Sequence, residues 1–405
     1  MEEVVIVGAG IAGLATAVAL KRVGIKALVL ERWDGLRATG AALSLLPNAW
    51  RALDALGVSH KLTIYSPPKK SYVTNLETGA IQEVPFGGTN AGGHQSGPKS
   101  VHRKALLEAL GEELQADSIR FSSKINGIGS ITHEGSSIAV LYMEDGSIIK
   151  AKVLIGCDGV HSAVATWLGL ASPVDAGRTV VRGLAVFPQG HGLKHELQQF
   201  VGSGTRSGFL PVTDRDIFWF YGCSTPPKGA DHVARDPKLI QREIIENYAK
   251  DFPELYLDIV KHSDLSTVHW AQLVYRQPWN VAFGNLSNQN VTVAGDAMHP
   301  MTPDLAQGGC SALEDAVVLG RHIGTSFIKN GGLVPSEVPK VLANYVEERR
   351  WRAVLLIIGS YFSGWVQQGG SSWAVKFFRD SIFYRFLFRM LASVTQYDCG
   401  KLPTI

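Results

Sequence analysis

Cysteine is scarce in this chain, and no two cysteines stand close together. A disulfide framework needs dense, paired cysteines, and a zinc site needs ligands at short spacing such as CxxC, so both are disfavoured. We therefore predict no metal site, and reduced thiols in a reducing compartment such as the cytoplasm. The four cysteines are Cys157, Cys223, Cys310 and Cys399.

Long apolar runs and a strong charge of either sign are also lacking. No apolar run reaches the roughly 18 residues of a membrane span. The formal net charge is only +3 and no long basic run occurs, so we predict no nucleic-acid partner and a small-molecule one instead. Apolar residues begin directly after Met1-Glu2-Glu3, so we expect no targeting peptide. The 405 residues, 45% of them hydrophobic, suffice for two packed domains.

The clearest positive signal lies at the start of the chain. An apolar run, Val4–Val7, is followed by Gly8-Ala9-Gly10-Ile11-Ala12-Gly13 and then by apolar residues at helical spacing. A second apolar run, Ala27–Leu30, ends in Glu31, 18 residues after the last of these glycines. Strand, glycine turn, helix, strand and acid in this order predict a dinucleotide-binding unit.

Each residue type in this unit has a physical task. Gly8 permits the turn, Gly10 lets the backbone approach a pyrophosphate, and Gly13 lets the helix pack on the strand. The N–H groups of the helix N-terminus attract phosphate. Glu31 would accept hydrogen bonds from ribose hydroxyls.

Further along, helical segments alternate with hairpins and strands, which predicts an α/β fold with a second, β-rich layer. The charged residues Glu347, Glu348, Arg349, Arg350 and Arg352 are most simply placed on a solvated helix face. Predicted helices are Pro47–Leu56, a segment from Val101 to near Leu114, Asp236–Lys250, Pro253–Lys261, Gln307–Ile328 and a helical region from Pro339 to Gln396. Predicted strands are 72–84 as a hairpin, 138–143 with 148–155, 179–186, 217–221, 270–279 and 291–294.

Two aromatic segments leave alternatives open. The strand Ile217–Tyr221 is apolar on both faces, so either one face lines a cavity or both pack in a core. The segment Trp373–Leu391 mixes aromatic and basic residues. It is either a helix covering the core or a C-terminal helix in peripheral contact with a membrane surface.

Several motifs together resemble the class A flavoprotein monooxygenases, in particular the plant branch that is salicylate-hydroxylase-like or zeaxanthin-epoxidase-like. The resemblance spans nearly the whole chain. It rests on the glycine turn 8–13, Arg103, Cys157-Asp158-Gly159, Gly295-Asp296-Ala297-Met298-His299-Pro300-Met301-Thr302-Pro303, Ala312–Ala316 and Tyr397–Gly400.

The resemblance implies a Rossmann-like FAD-binding domain interleaved with a β-sheet substrate domain, and a helical C-terminus. We expect the FAD-binding domain to comprise residues 1–70, 100–175 and 285–335. The substrate domain would comprise 71–99 and 176–284, and the C-terminal helical region 336–405.

The resemblance also implies roles for individual residues. A helix or turn cap is the alternative role for Asp158 and Asp296, and His299, beside Pro300, more simply orders the backbone than acts in catalysis. We identify no catalytic acid or base. The residues implied to bind FAD are Gly8, Gly10, Gly13, Glu31, Arg32, Arg103, Asp158, Gly295, Asp296, Pro303, Gly308 and Gly309. The substrate candidates are Arg182, Phe218, Phe220 and Pro300.

In the chemistry of the family, NAD(P)H reduces FAD, O2 gives a C4a-hydroperoxide, and one oxygen passes to an electron-rich carbon. No second GxGxxG occurs, so the nicotinamide would be a transient co-substrate. We therefore predict a monooxygenase that hydroxylates or epoxidises an apolar or phenolic small molecule. An oxidase or oxidative cyclase without oxygen insertion, and a non-catalytic module that binds a partner protein, are the alternatives.

One position departs from the family. Ala306 stands where family members usually have glycine. If that position has a positive φ, alanine is strained there or the loop shifts. If φ is negative, the substitution has no consequence.

Overall fold

The computed structural model describes residues 1–37, 42–62, 70–85, 98–202, 204–224, 236–368 and 394–404. Within these ranges, a layer of helices covers two β-sheets. The α-helices are α1 (Ile11–Arg22), α2 (Pro47–Leu56), α3 (Arg103–Gly111), α4 (Ala163–Trp167), α5 (Pro237–Glu243), α6 (Glu254–Lys261), α7 (Pro278–Ala282), α8 (Gly308–Asn330) and α9 (Val338–Gln368).

The first sheet has a parallel centre. Its strands are β1 (Glu2–Val7), β2 (Ala27–Leu30), β7 (Ile119–Arg120), β8 (Ile125–His133), β9 (Ser136–Met143), β10 (Ile148–Gly156), β16 (Ser287–Asn288) and β17 (Val291–Val293). The order is β16-β17-β10-β1-β2-β7, and the β8–β9 hairpin extends from β10. The central strand β1 is covered on both faces, which explains its unbroken apolar run.

The second sheet is mostly antiparallel. Its strands are β4 (Lys70–Asn75), β5 (Ile81–Pro85), β11 (Val174–Val186), β12 (Leu197–Gly202), β13 (Thr205–Pro211), β14 (Asp216–Cys223) and β15 (His269–Tyr275), in the order β15-β11-β14-β13-β12-β4-β5. Along β14, Ile217, Trp219 and Tyr221 are buried against residues of α5 and α6. Phe218 and Phe220 point to the other face and are half-buried. The face with Ile217, Trp219 and Tyr221 therefore packs in the main core of this sheet, whereas on the other face Phe218 packs against the small cluster of Leu184 and Val212.

A two-stranded ribbon, β3 (Ala42–Leu45) with β6 (Lys99–His102), lies apart from both sheets. Val101 and His102 were expected at the start of a helix, and this was wrong. They belong to β6, and α3 begins at Arg103. The β-branched Val101 is 3% exposed as a strand residue paired with Leu43.

Helices α1 and α8 cross at very short distance over the first sheet. A Cβ atom on Gly320 would lie 2.6 Å from Cβ of Ala19, and one on Gly324 would lie 2.8 Å from Cγ1 of Val23. Glycine at these two positions lets the helix backbones touch. The return of the chain to the first sheet through β17 and α8 is therefore tightly packed.

One predicted boundary needs correction. The strand expected to reach Trp279 ends at Tyr275, because Pro278 opens α7 and Trp279 belongs to that helix. In the C-terminal region, the described residues form the helix α9 (Val338–Gln368) and a short 3-10 turn, Val394–Gln396. The glycine-rich stretch 87–93 and the segment Trp373–Leu391 lie outside the described residues.

The predicted fold class, α/β with two interleaved sheets and a helical C-terminal region, is confirmed. Strands of the first sheet come from residues 2–30, 119–156 and 287–293, and those of the second from 70–85 and 174–275. The domain borders themselves stay a prediction.

Candidate active site

The turn between β1 and α1 is shaped by its glycines. Gly8 has φ +100, and a Cβ atom there would lie 2.5 Å from the carbonyl oxygen of Cys157. A Cβ atom on Gly13 would overlap the carbonyl oxygen of Gly8. Around Gly10, by contrast, no described atom lies within 4 Å of the Cβ position. The turn is closed on two sides and open at Gly10.

Glu31 braces this turn. One carboxylate oxygen accepts a hydrogen bond from Ala9 N at 2.7 Å, and the other accepts one from Trp33 N at 3.1 Å. A carboxylate oxygen has two lone pairs, so each retains capacity for a ligand hydroxyl. The neighbouring Arg32 is exposed and lies 5.2 Å from the centre of the Trp33 ring.

Asp158 follows β10 and caps α4. Its carboxylate accepts hydrogen bonds from Ala163 N at 2.7 Å and from Ser162 Oγ at 2.5 Å. Burial raises the pKa of Asp158, and these hydrogen bonds oppose that shift. The cap was one of the two roles open for this residue, and contact with FAD stays a prediction.

Three predicted residues from separate parts of the chain, Arg103, Arg182 and Asp296, interact electrostatically. Asp296, in the 3-10 turn Gly295–Ala297, is exposed. Burial lowers the pKa of Arg103 and of Arg182, and attraction to Asp296 opposes this shift in both. The charge of Arg103 lowers the pKa of Arg182 further. Nε of each arginine is buried without a hydrogen-bond partner among the described residues. Two buried donors without partners, on arginines that interact with each other electrostatically, indicate a site for an acceptor.

The first turn of α8 adjoins this group. A Cβ atom on Gly308 would lie 3.9 Å from Oδ1 of Asp296, and one on Gly309 would lie 3.6 Å from Cδ1 of Ile11 in α1. Gly295 has φ +59, and a Cβ atom on it would lie 2.8 Å from Cβ of Ala12. The N-terminal ends of α1 and α8 are thus neighbours, and both helices are long enough to attract negative charge.

The loop before α8 contains the departure from the family pattern. The 3-10 turn Pro303–Leu305 ends at Ala306, which has φ 53 and ψ 30. Of the two conformations considered, the positive φ is therefore correct. Pro303 and Ala306 are exposed. Pro300 is buried, and its carbonyl oxygen accepts a hydrogen bond from Arg276 N at 2.9 Å.

The face of the second sheet that lies opposite the core formed with α5 and α6 carries the other substrate candidates. The rings of Phe218 and Phe220 are stacked, with centres 6.3 Å apart. Arg182 is paired with Phe220 between β11 and β14 and so lies on the same face. The structure thus brings together three of the four candidates, while Pro300 is buried in the loop after β17.

A buried ion pair that the sequence did not reveal joins this sheet to the loop. Asp304 binds Arg178 at 2.9 Å and Arg206 at 3.2 Å. A Cβ atom on Gly364 of α9 would overlap both the Arg178 guanidinium and the Asp304 carboxylate. No local pattern could identify these partners, because they are 126 and 98 residues from Asp304 in sequence.

A second buried cluster lies beneath the loop after β17. Asp315 accepts a hydrogen bond from Gly295 N at 2.8 Å and contacts Nε2 of His299 at 2.6 Å. Arg349 binds Asp315 at 2.7 Å and Glu314 at 2.7 Å, and all four of these side chains are fully buried. Burial would raise the pKa of Asp315, but the charges of His299 and Arg349 lower it to about 2.

The solvated face expected for the charged run in α9 was therefore wrong. Of its five charged residues only Glu347 is exposed. Arg349 and Arg352 pair with acidic residues of α8, and Glu348 pairs with Arg321 and His322 of the same helix. Arg350 instead donates hydrogen bonds to backbone carbonyl oxygens of residues 281, 282 and 284. An acidic pair inside the apolar pattern of α8 was the available signal. Interpreting His299 as a residue that orders the backbone agrees with its contact to Asp315.

The model of the family described as FAD binding domain matches residues 1–357. The chain belongs to this family. It is 39% identical over 409 residues to Monooxygenase 2 of Arabidopsis thaliana, covering 99% of this chain and 98% of that one. It is 36% identical to Monooxygenase 1 of the same plant, covering 99% and 100%. The structure of Klebsiella pneumoniae HpxO with FAD and uric acid matches at 23% identity with a TM-score of 0.80, covering 98% of each chain, which shows a shared fold.

Membership of this family confirms that the chain is an FAD-dependent monooxygenase and that FAD is its cofactor. The described residues are compatible with FAD. The turn after β1 is open at Gly10, and the N-termini of α1 and α8 are adjacent, so both can attract the phosphates. The buried Nε atoms of Arg103 and Arg182 can donate hydrogen bonds to a ligand. The assignment of single residues to parts of the cofactor stays a prediction.

Proposed function

We propose that the protein uses NAD(P)H and O2 to hydroxylate or epoxidise an apolar or phenolic small molecule. The observation that supports this is the position of the stacked Phe218 and Phe220, with Arg182 beside them. They lie on the sheet face that Asp304 ties to the loop ending at Ala306. An oxidase or oxidative cyclase on the same scaffold, which inserts no oxygen, is the second candidate.

When bound, FAD supplies the oxygen chemistry. We infer that the protein contributes binding, orientation and exclusion of water. Phe218 and Phe220 offer apolar ring surface against which an aromatic substrate stacks. Arg182 would orient a phenolic or similar polar oxygen through a charge-assisted hydrogen bond. The sheet face and the loop together would keep water from the reacting carbon.

We further propose that FAD is held by the residues that the family resemblance implied. Gly8, Gly10 and Gly13 would bind the pyrophosphate of FAD, and Glu31 would bind its ribose. Arg103 and Asp296 would contact the part of FAD that lies near α8. NAD(P)H would visit transiently, since a second glycine fingerprint is absent from the sequence. The domain borders given above and a cytoplasmic location complete the proposal. The few, widely spaced cysteines of the sequence support that location.

The decisive experiment supplies 18O2 and NADPH or NADH to the FAD-loaded protein with a panel of phenols and apolar alkenes. Cofactor consumption stimulated by one compound, with one 18O atom in its product, supports the monooxygenase. Stoichiometric hydrogen peroxide and an oxidised product without 18O would support the oxidase or cyclase instead. Mass spectrometry of small molecules that co-purify with the protein narrows the panel.

The Arg182 assignment has its own test. Arg182→Met should raise KM for a phenolic substrate by roughly tenfold or more, because a hydrogen bond to a charged group is lost. Arg215→Met is the matched control, since Arg215 is exposed at a turn of the same sheet. An unchanged KM in Arg182→Met would remove this residue from the substrate site.

A further inference from the structure

Helix α9 has an outer side made of large apolar residues. Trp351, Leu355, Ile358 and Trp365 are between 47% and 63% exposed, and Tyr361 is 37% exposed. Their spacing of three, four and seven residues places them along one side of the helix. The solvent side of a surface helix is normally polar, yet no charged residue occurs from position 353 to position 368 of α9. We call these five residues the aromatic face.

Neighbouring elements hold this region in place and add to its apolar surface. Helix α7 packs against α9 and exposes Trp279 to 55% and Phe283 to 81%. Arg350 donates hydrogen bonds to the carbonyl oxygens at the end of α7, those of residues 281, 282 and 284. The rings of Tyr275 and Tyr361 lie 4.8 Å apart. These contacts fix the position of α9 and α7, and with it that of the exposed aromatic side chains.

We infer that the aromatic face docks on the surface of an anionic lipid bilayer. Tryptophan and tyrosine are the side chains that favour the boundary between water and lipid, and they supply much of this face. Among the described residues no helix is long and apolar enough to cross a membrane. The contact would therefore lie in the plane of the membrane surface.

Charge selects the bilayer over a second protein as the occupant. The sequence that follows α9, residues 371–391, has four Lys or Arg against one Asp. This net charge of +3 equals the formal net charge of the whole chain, so the remainder is neutral. Positive charge directly after an apolar face complements anionic headgroups.

Sedimentation of the full-length, FAD-loaded protein with vesicles tests this. We expect binding to phosphatidylcholine vesicles containing phosphatidylserine, and weaker binding to phosphatidylcholine alone. A double variant, Leu355→Ser with Trp365→Ser, should lower the partition coefficient by roughly tenfold or more, since it removes buried apolar area from the contact. Retained FAD absorbance and an unchanged unfolding midpoint show that the variant is folded.

The matched control is Tyr142→Ser with Ile148→Ser. These residues are 47% and 57% exposed on the β9–β10 hairpin, away from α9, so their replacement should leave vesicle binding unchanged. Absence of vesicle binding by the parent protein overturns the inference. Equal loss of vesicle binding in both double variants also overturns it. The same holds if the parent protein is a dimer in sedimentation velocity and the variant Leu355→Ser with Trp365→Ser is a monomer. None of these outcomes bears on the proposed reaction, which is measured without lipid.

Discussion

Ala306 holds a left-handed backbone conformation that its methyl group disfavours. The left-handed region, in which its φ of 53 and ψ of 30 lie, crowds Cβ against the following carbonyl oxygen. The conformation persists because the loop is fixed on both sides. Asp304 is held by two arginines, and the carbonyl oxygen of Ala306 lies 3.2 Å from Sγ of Cys310. A residue with a strained backbone therefore lies in the loop beside the candidate active site.

We predict that Ala306→Gly stabilises the protein by about 0.5–1 kcal/mol, because relief of the strain exceeds the extra entropy of the unfolded chain. FAD should stay bound. The ratio of product formed to NADPH consumed should change, since the methyl group is exposed on the loop. Gln289→Gly is the control: its φ is 51 in an exposed turn, so it should gain stability without a change of that ratio. Identical ratios in Ala306→Gly and the parent would deprive the substitution of functional meaning.

Glu31→Ala is expected to weaken FAD binding by roughly 1.5–3 kcal/mol, the range for hydrogen bonds to a charged group. The variant should also lower the stability of the protein without FAD, because Ala9 N and Trp33 N lose their acceptor. Titration with FAD and urea unfolding of the FAD-free form measure the two effects separately. A lower stability with unchanged FAD affinity would leave Glu31 only its role in bracing the turn.

Among the elements, α8 and α9 depend on buried charge rather than on apolar contact alone. Arg349→Met should destabilise the protein by about 3–5 kcal/mol, because Asp315 and Glu314 would keep a buried charge with less compensation. Glu347→Met, two residues away but exposed, should change the free energy of unfolding by no more than about 0.5 kcal/mol. Urea unfolding monitored by circular dichroism compares the two. Equal effects would mean that the cluster is not what holds the two helices.

The sequence predicted elements well where local rules act alone. Ala27–Leu30 and Pro47–Leu56 have the predicted bounds, since an apolar run before an acid, and a proline start with a Gly57 end, are local signals. Prediction from the sequence failed where a partner far away along the chain determines whether a side chain is buried. Arg349 was assigned to solvent because the acids that bury it stand on another helix, and Arg178 and Arg206 were missed because Asp304 lies far along the chain.

For the whole molecule, we predict that stability falls in acid. The pKa of Asp315 is lowered from 3.8 to about 2 in the folded protein, and that of Glu348 from 4.5 to about 2. Because the folded-state values lie below the unfolded ones, the stabilisation is complete above about pH 5 and disappears as pH falls toward 2. Free energies of unfolding from urea titrations between pH 7 and pH 3 should show this slope.

Asp315→Asn should make the free energy of unfolding less dependent on pH and should lower its value at neutral pH. Asp117→Asn is the control, because Asp117 forms an exposed ion pair with Lys26, and it should change neither quantity. A parent protein whose stability is constant from pH 7 to pH 3 would contradict the assignment.

The neighbour of β10 in the first sheet, β17, is supplied by residues Val291–Val293, after the entire second sheet has been passed. During synthesis on the ribosome, that edge of β10 therefore stays without its partner until the last third of the chain emerges. Exposed strand edges pair readily with other chains, and contacts between distant residues form slowly. The nascent protein thus has a long interval in which this edge is open to pairing with other chains, and the α1–α8 glycine crossing can form only as that interval ends.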